Sequence, residues 1–376
     1  MKRKISLIIL GVLAVLGVLI LATKTRQKEK ILIKIGMVGP LSGEAATYGI
    51  EARNGVQLAI SLLNQKQTRF RFELVAKDDQ ADPSLAEKAA RELVVEKDVL
   101  AVVGPITSGA TLAAGEIFQK NRLPAITPSA TSPKISELGD FIFRVCPSDT
   151  FQGKAAAEFV VQDLGFDQIA ILWDSKNEAY SGGLAEAFRK RAEELGAKIT
   201  GVVSYQAGQK EFTQELEKLK ATEPKVIYIP GYYTDVALIA QQIQKMGWQI
   251  PIVGGDGLYS PELIALGGKA VEGIKFTSFF ISSDPQPKVQ DFVRAYKEMF
   301  GTEPGWIAAH AFDAMNVIAK AIEIGGTSRE GIQKGLTKIE NFEGVSGVIS
   351  FDENGDVLKD ILKLEVKEGN FEIWSR

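Results

Sequence analysis

Short apolar runs that break off into turns of small residues, each followed by a helix-periodic stretch, constrain this chain more than any other feature. Val99–Val103 is five consecutive apolar residues. Gly104-Pro-Ile-Thr-Ser108 follows, and a helical pattern then runs from Ser108 to Lys120. Ile31–Val38 is a β-rich run ending in Gly39-Pro-Leu-Ser-Gly43, after which Ala52, Val56, Ala59, Ile60 and Leu63 recur at helical spacing. Phe70, Phe72, Leu74 and Ala76 alternate with neighbours of the opposite face, giving a strand exposed on one side. Asp82-Pro83 supplies a cap and a first-turn proline for the next helix. A further strand is predicted at 124–126. Short apolar strands joined by helices form a parallel, doubly wound sheet, because only a crossover helix can return the chain to start a parallel neighbour.

The pattern restarts after residue 150. Strands are predicted at Ile169–Trp173, Ile199–Val203, Val226–Pro230, Ile252–Gly254 and Ile274–Phe279. Helices are predicted at Gly183–Leu195 and near 211–220 and 234–246, then at about 288–300, 306–324 and 328–338. Two α/β lobes of comparable size follow. Val348–Phe351 and Ile361–Val366 read as a β pair joined by Asp352-Glu-Asn-Gly-Asp356. That turn resembles the start of a calcium loop, but position 12 would be Lys363 rather than Glu, so it reads as a β-hairpin turn.

One cysteine (Cys146) and one histidine (His310) exclude an intramolecular disulfide, a Cys/His zinc site and a His-rich metal centre. Cys146, in Phe-Arg-Val-Cys-Pro, reads as a buried small hydrophobe, and His310 as a helix-face residue rather than a base. No Gly-x-x-x-x-Gly-Lys-Ser/Thr occurs, so ATP hydrolysis is not expected of this chain. No Gly-x-Gly-x-x-Gly follows the first strand, and no Gly-x-Ser-x-Gly elbow appears. An enzyme is therefore not expected, nor any cofactor. The formal charge is −3; residues 1–22 carry three basic groups and no acidic ones, leaving −6 on the rest. A mildly acidic body with scattered Lys and Arg offers no stripe for a phosphate backbone, so nucleic acid is not an expected partner.

Lys2-Arg-Lys4 precedes 18 uncharged, mostly apolar residues, Ile5 to Ala22. A basic start and an apolar core are the pattern of a secretory signal, and at about 1.5 Å per residue the run, roughly 27 Å, also suffices to cross a bilayer. Residues 1–30 are thus expected to be a signal or membrane-anchor segment with its linker, and export follows either way. Ile20-Leu-Ala22 is a poor small-x-small site, which favours an uncleaved anchor.

In open α/β sheets ligands bind beyond the carboxyl ends of the strands. Here those ends carry two small-residue turns, Gly104–Ser108 and Thr127-Pro-Ser-Ala-Thr-Ser-Pro133, together with Leu41–Tyr48. The second half contributes Asp174–Tyr180, Gly231-Tyr-Tyr233 and Gly254-Gly-Asp-Gly-Leu-Tyr259. A turn opening a helix leaves N–H groups and hydroxyls at its positive end, a seat for a carboxylate, although a capping hydroxyl alone has the same look. One half thus offers donors, the other a carboxylate among glycines and tyrosines. An amino acid has the complementary needs.

The chain resembles the branched-chain amino-acid-binding proteins of ABC transporters, the type I periplasmic binding proteins, from about Ile33 to Val366. The resemblance rests on Gly39-Pro-Leu-Ser-Gly43, Asp78-Asp79, Gly104-Pro-Ile-Thr-Ser108, Pro128-Ser-Ala-Thr131, Phe143-Arg144, Ile169-Ala-Ile-Leu172, Gly231-Tyr-Tyr233 and Gly254-Gly-Asp-Gly257, in order. It implies that Ser108 and Thr131 hold a ligand carboxylate, with a backbone contact from Ser129. Asp256, where the best-known members have Glu, would pair with the ammonium, and Tyr48, Tyr180 and Tyr232 would surround the side chain. It also implies hinge crossovers, with one lobe at 31–148 plus 279–345 and the other at 149–278 plus 346–376, closing on a ligand in the cleft between them. The implied function is extracytoplasmic capture of a branched-chain or other small apolar amino acid, or a close analogue, for permease subunits with separate ATPases. The membrane would be reached through residues 5–22 if these stay attached. The alternative is a ligand-sensing receptor of the same fold working with a separate membrane partner.

Overall fold

A computed structural model describes residues 30–66 and 69–375. The signal or anchor segment expected at the N-terminus lies outside the described residues; among those described, no helix is long and apolar enough to cross a membrane.

Five parallel strands form the first sheet: β1 (Ile31–Gly39), β2 (Phe70–Asp78), β3 (Val99–Val103), β4 (Ala125–Thr127) and β5 (Ile142–Arg144), in the spatial order β2-β1-β3-β4-β5. Both faces are covered, as the unbroken apolar runs require. Ile33, Ile35, Met37, Ala101 and Val103 point into one core, while Val38, Val99 and Val102 point into another with Ala86, Leu93 and Phe118. That second core is roofed by helices Pro83–Val95 and Ser108–Lys120. The Asp82 carboxylate accepts from the Leu85 N–H at 2.9 Å, the expected cap.

The second sheet has seven strands: β6 (Gln168–Asp174), β7 (Lys198–Tyr205), β8 (Val226–Ile229), β9 (Ile252–Gly254), β10 (Lys275–Ser278), and later β13 (Leu362–Lys367) and β14 (Asn370–Ile373). Their order is β14-β13-β10-β9-β8-β6-β7, parallel except where β13 meets β10 and β14. Alternation along β6 divides it between two cores: Ile169 and Ile171 lie with Phe188 and Tyr228, Ala170 and Leu172 with Leu216 and Val236. The Phe188 and Tyr228 rings stack at 3.7 Å.

The chain passes between the two layers three times. It leaves the first sheet after Arg144 and enters the second layer with helix Asp149–Glu158. After β10 it returns, so that helices Pro287–Phe300 and Trp306–Gly325 pack on helix Ala46–Gln65 of the first layer. The third crossing carries it from the small pair β11 (Phe342–Gly344) and β12 (Gly347–Ile349) to β13. Here the expected hairpin is corrected: residues 348–351 do not pair with 361–366. β12 pairs back on β11, β13 pairs with β10 and β14, and the Asp352–Asp356 turn is a crossing between sheets. Its shape is set by the Asp352 carboxylate, which accepts from the N–H groups of Asn354 and Asp356 at 2.8 and 2.9 Å, so the Asp-rich look reflects an Asx turn.

Candidate functional site

The carboxyl ends of β3 and β4 in the first sheet and of β6, β8 and β9 in the second converge on one small cavity of about 20 Å³, room for about one water. Its wall includes Tyr48, Ser108, Ser129, Tyr180, Tyr232 and Asp256, six of the seven residues expected from the sequence. Residues 129, 180 and 256 lie far apart in the chain and meet only because parallel strands all end on one edge.

Gly104 makes the first turn possible. Its φ is +107°, and a Cβ there would lie 2.3 Å from the Val38 carbonyl oxygen. Thr107 takes the cap position of helix Ser108–Lys120, but its side chain makes no capping bond. Ser108 is the first helical residue; its buried hydroxyl accepts from the Ser132 N–H at 3.2 Å and keeps its own proton to donate. The Ser108 hydroxyl is therefore not the helix cap. It ties the two turns together. The Ser129 hydroxyl donates to the Ile106 carbonyl at 2.7 Å, a second tie between the same turns.

Thr131 departs from expectation. It is fully buried and does not line the cavity. Its hydroxyl faces the Asp149 carboxylate and favours the ionised form of that group, in a contact short of a regular hydrogen bond. Its carbonyl accepts from the Asp149 N–H at 2.8 Å and from Arg144 at 3.1 Å. Two residues after Ser129, the turn has already rotated the side chain behind the wall.

Arg144 holds this turn from below. Its buried guanidinium pairs with Asp356 at 2.7 Å, donates to the Thr131 and Ser132 carbonyls, and reaches the Ser136 hydroxyl at 2.7 Å. The Arg144 N–H also donates to the Gly355 carbonyl at 2.9 Å. The third crossing is thus clamped to the floor of the site.

Asp256 is 3% exposed. One carboxylate oxygen accepts from the Tyr180 hydroxyl at 3.1 Å, and the Asp256 carbonyl accepts from the Trp306 indole at 3.2 Å. Burial pushes its carboxyl up to about 6, opposed by the Gln152 amide and the Tyr180 hydroxyl. Gln152, fully buried, is held by its bond to the Thr277 hydroxyl at 3.0 Å. Asp149, also fully buried, is raised well above the usual carboxylate range by burial, with Asp256 adding to the shift. Two acidic side chains are thus buried close enough for the charge of one to oppose ionisation of the other.

The tyrosines form a linked wall. Tyr180 and Tyr232 stack at 5.3 Å, and Tyr48 meets Tyr232 edge-on at 5.1 Å. Tyr48 comes from helix Ala46–Gln65 of the first layer, yet its hydroxyl donates to the Gly257 carbonyl of the second at 2.7 Å. Gly257 has no room for a side chain, since a Cβ would fall 2.7 Å from the Gly231 carbonyl oxygen and 2.9 Å from the Tyr180 hydroxyl.

Trp306 and Ile307 complete the wall, and sequence reasoning missed them, as it missed Gln152 and Asp149. Trp306 stood in a helical stretch noted only for His310. His310 is a buried helix residue, its Nδ1 2.9 Å from the Trp306 carbonyl oxygen, and burial depresses its pKa well below the usual value. Cys146 is fully buried, its Sγ 3.5 Å from the Ala130 carbonyl oxygen, and burial pushes its thiol up. Neither residue lines the cavity.

Two doubly wound layers with donors on one facing edge and a carboxylate among aromatic rings on the other define a two-lobed α/β protein with a small cavity between its sheets. The chain belongs to the periplasmic binding protein family, which matches residues 32–370. This is a family of solute-binding proteins, and membership implies an extracytoplasmic location. A leucine-, isoleucine-, valine-, threonine- and alanine-binding protein of Pseudomonas aeruginosa is 32% identical over 328 residues, 86% of this chain and 87% of its own length. A leucine binding protein of Thermotoga maritima superposes with a TM-score of 0.87 at 34% identity, covering 91% of this chain and 98% of that one. The branched-chain amino acid transporter substrate binding protein of Streptococcus pneumoniae, solved in complex with isoleucine, gives 0.86 at 32% identity, covering 91% and 98%.

Proposed function

We propose that this chain captures a branched-chain or other small apolar α-amino acid outside the cytoplasm and delivers it to the permease of an ABC transporter. The observation that carries this reading is the facing of Ser108, Ser129 and the start of helix Ser108–Lys120 on one layer against Asp256 on the other, around one cavity walled by Tyr48, Tyr180 and Tyr232. The ligand carboxylate takes the Ser108 hydroxyl and the free N–H groups of the helix start, where the helix dipole is favourable. The ammonium pairs with Asp256, and the side chain lies on the aromatic wall. Thr131 is assigned the floor rather than the ligand.

A cavity of about 20 Å³ holds no amino acid, so loading requires the layers to part. The three crossings are the hinge, and the moving bodies are 31–148 with 279–345 and 149–278 with 346–376. Tyr48 to Gly257 is then a closing contact. Residues 5–22 either direct export or hold the protein at the membrane, beside its permease.

The test is isothermal titration of full-length protein, unfolded and refolded to strip any carried ligand, with leucine, isoleucine, valine, threonine and alanine. Heat with at least one apolar member is expected. Absence of heat with all five overturns the reading.

A further inference from the structure

Beyond Tyr48, Thr107 and Tyr232 lies a second chamber of about 320 Å³, and these three residues line it as well as the inner cavity. Its lining comes from both layers and is acidic: Glu44, Asp174, Glu178 and Asp235 against one cation, Lys176. Asp174 and Asp235 are 3% and 5% exposed. Glu44 belongs to the first layer, yet its carboxylate reaches Gly208 of the second, whose Cβ would sit 3.4 Å away, and it raises the pKa of Asp235. Like charges therefore converge as the layers meet, which favours a positive guest between them.

Thr107 points independently to a ligand. It is 7% exposed, and its hydroxyl has no hydrogen-bond partner, although it stands at a helix cap where such a bond is usual. A buried hydroxyl left unpaired is costly, and one in the lining of two adjacent cavities is placed to meet a ligand that occupies both.

We propose that this chamber is a second subsite, taking the cationic end of a longer amino acid such as lysine while its α-carbon groups occupy the inner cavity. The proposal rests on the amino-acid reading above and widens it. The apolar stem lies along the Tyr48 and Tyr232 rings, and the ammonium reaches the Thr107 hydroxyl and the carboxylates of Asp174 and Asp235. A branched-chain ligand leaves the chamber to water.

The discriminating pair is lysine and norleucine, which share an unbranched four-carbon stem and differ by the terminal ammonium. Full-length, ligand-stripped protein is titrated with leucine, norleucine and lysine in 50 mM and 500 mM salt. Lysine is expected to bind about fivefold more tightly than norleucine at low salt, with the ratio shrinking at high salt. Asp235→Asn, outside the inner cavity, is expected to weaken lysine several-fold and leave norleucine unchanged, and Thr107→Val to weaken lysine. Lysine equal to or weaker than norleucine in the unmodified protein overturns the subsite and leaves the amino-acid reading standing. Equal losses of both ligands in Asp235→Asn overturn it as well. No binding of leucine, norleucine or lysine overturns the subsite together with the amino-acid reading on which it rests.

Discussion

Asp256 makes ligand affinity a function of pH, and the size of the effect follows from its burial. Its carboxyl sits at about 6 without ligand. Only the ionised form attracts an ammonium, so the protein must shed that proton to bind. With a pKa of about 6, about nine-tenths of the molecules are ionised at pH 7 and about one-tenth at pH 5. Affinity should therefore fall about tenfold from pH 7 to pH 5, or about 1.4 kcal/mol. The ligand contributes nothing over this range, because an α-carboxyl titrates near 3.5. Folding responds with the opposite sign. The carboxyl rises from 3.8 to about 6 on folding, so the ligand-free protein holds this proton more firmly than the unfolded chain. Its contribution to stability is largest below 3.8 and declines as pH rises to about 6, and Asp149 acts in the same direction. Titration calorimetry at half-unit steps from pH 5 to 7.5 measures the slope. Asp256→Asn should bind more weakly at pH 7 and lose that slope. A dissociation constant unchanged between pH 5 and 7, or an equal slope in Asp256→Asn, refutes the argument.

Three further outcomes are expected. Tyr48→Phe removes the hydrogen bond to the Gly257 carbonyl and should weaken ligand binding by about 1 kcal/mol with little change in the stability of the ligand-free protein, read by calorimetry and thermal melting. Arg144→Met removes the cation paired with Asp356 and the guanidinium hydrogen bonds to the Thr131 and Ser132 carbonyls, and should cost about 3 kcal/mol in a denaturant titration. Cys146 should resist alkylation in the native protein at pH 8 and react only on unfolding, because it is fully buried and its thiol is held protonated; rapid native labelling would contradict the packing around Ala130.

How much of this was legible beforehand differs by element. Ser108, Asp256 and Tyr232 follow strand ends and interrupt apolar runs, so their departure from the surrounding pattern marked them. Asp149 and Gln152 gave no such signal. In a helical stretch with Lys154 and Glu158, two polar residues look like a solvated face, and only the packing of helix Asp149–Glu158 against β10 buries them near Asp256. Trp306 was hidden in the same way, reaching the cavity through a helix that packs on the first layer.

The sequence by itself determined the layers. Apolar runs with unpaired neighbours demand sheets covered on both faces, and glycine-bearing turns such as Gly104 allow a helix to start against a strand end. Those are local requirements of sterics and burial, written within ten residues of where they act. Tertiary structure alone decided which strands the late segments joined and which hydroxyls faced inward. The Asp352–Asp356 turn looks like a hairpin until Arg144, more than two hundred residues earlier, takes Asp356 as its partner. Thr131 and Ser129 share a turn and a chemistry, yet one lines the cavity and the other supports it. Such outcomes depend on contacts between residues distant in the chain, and no local pattern of polarity encodes them.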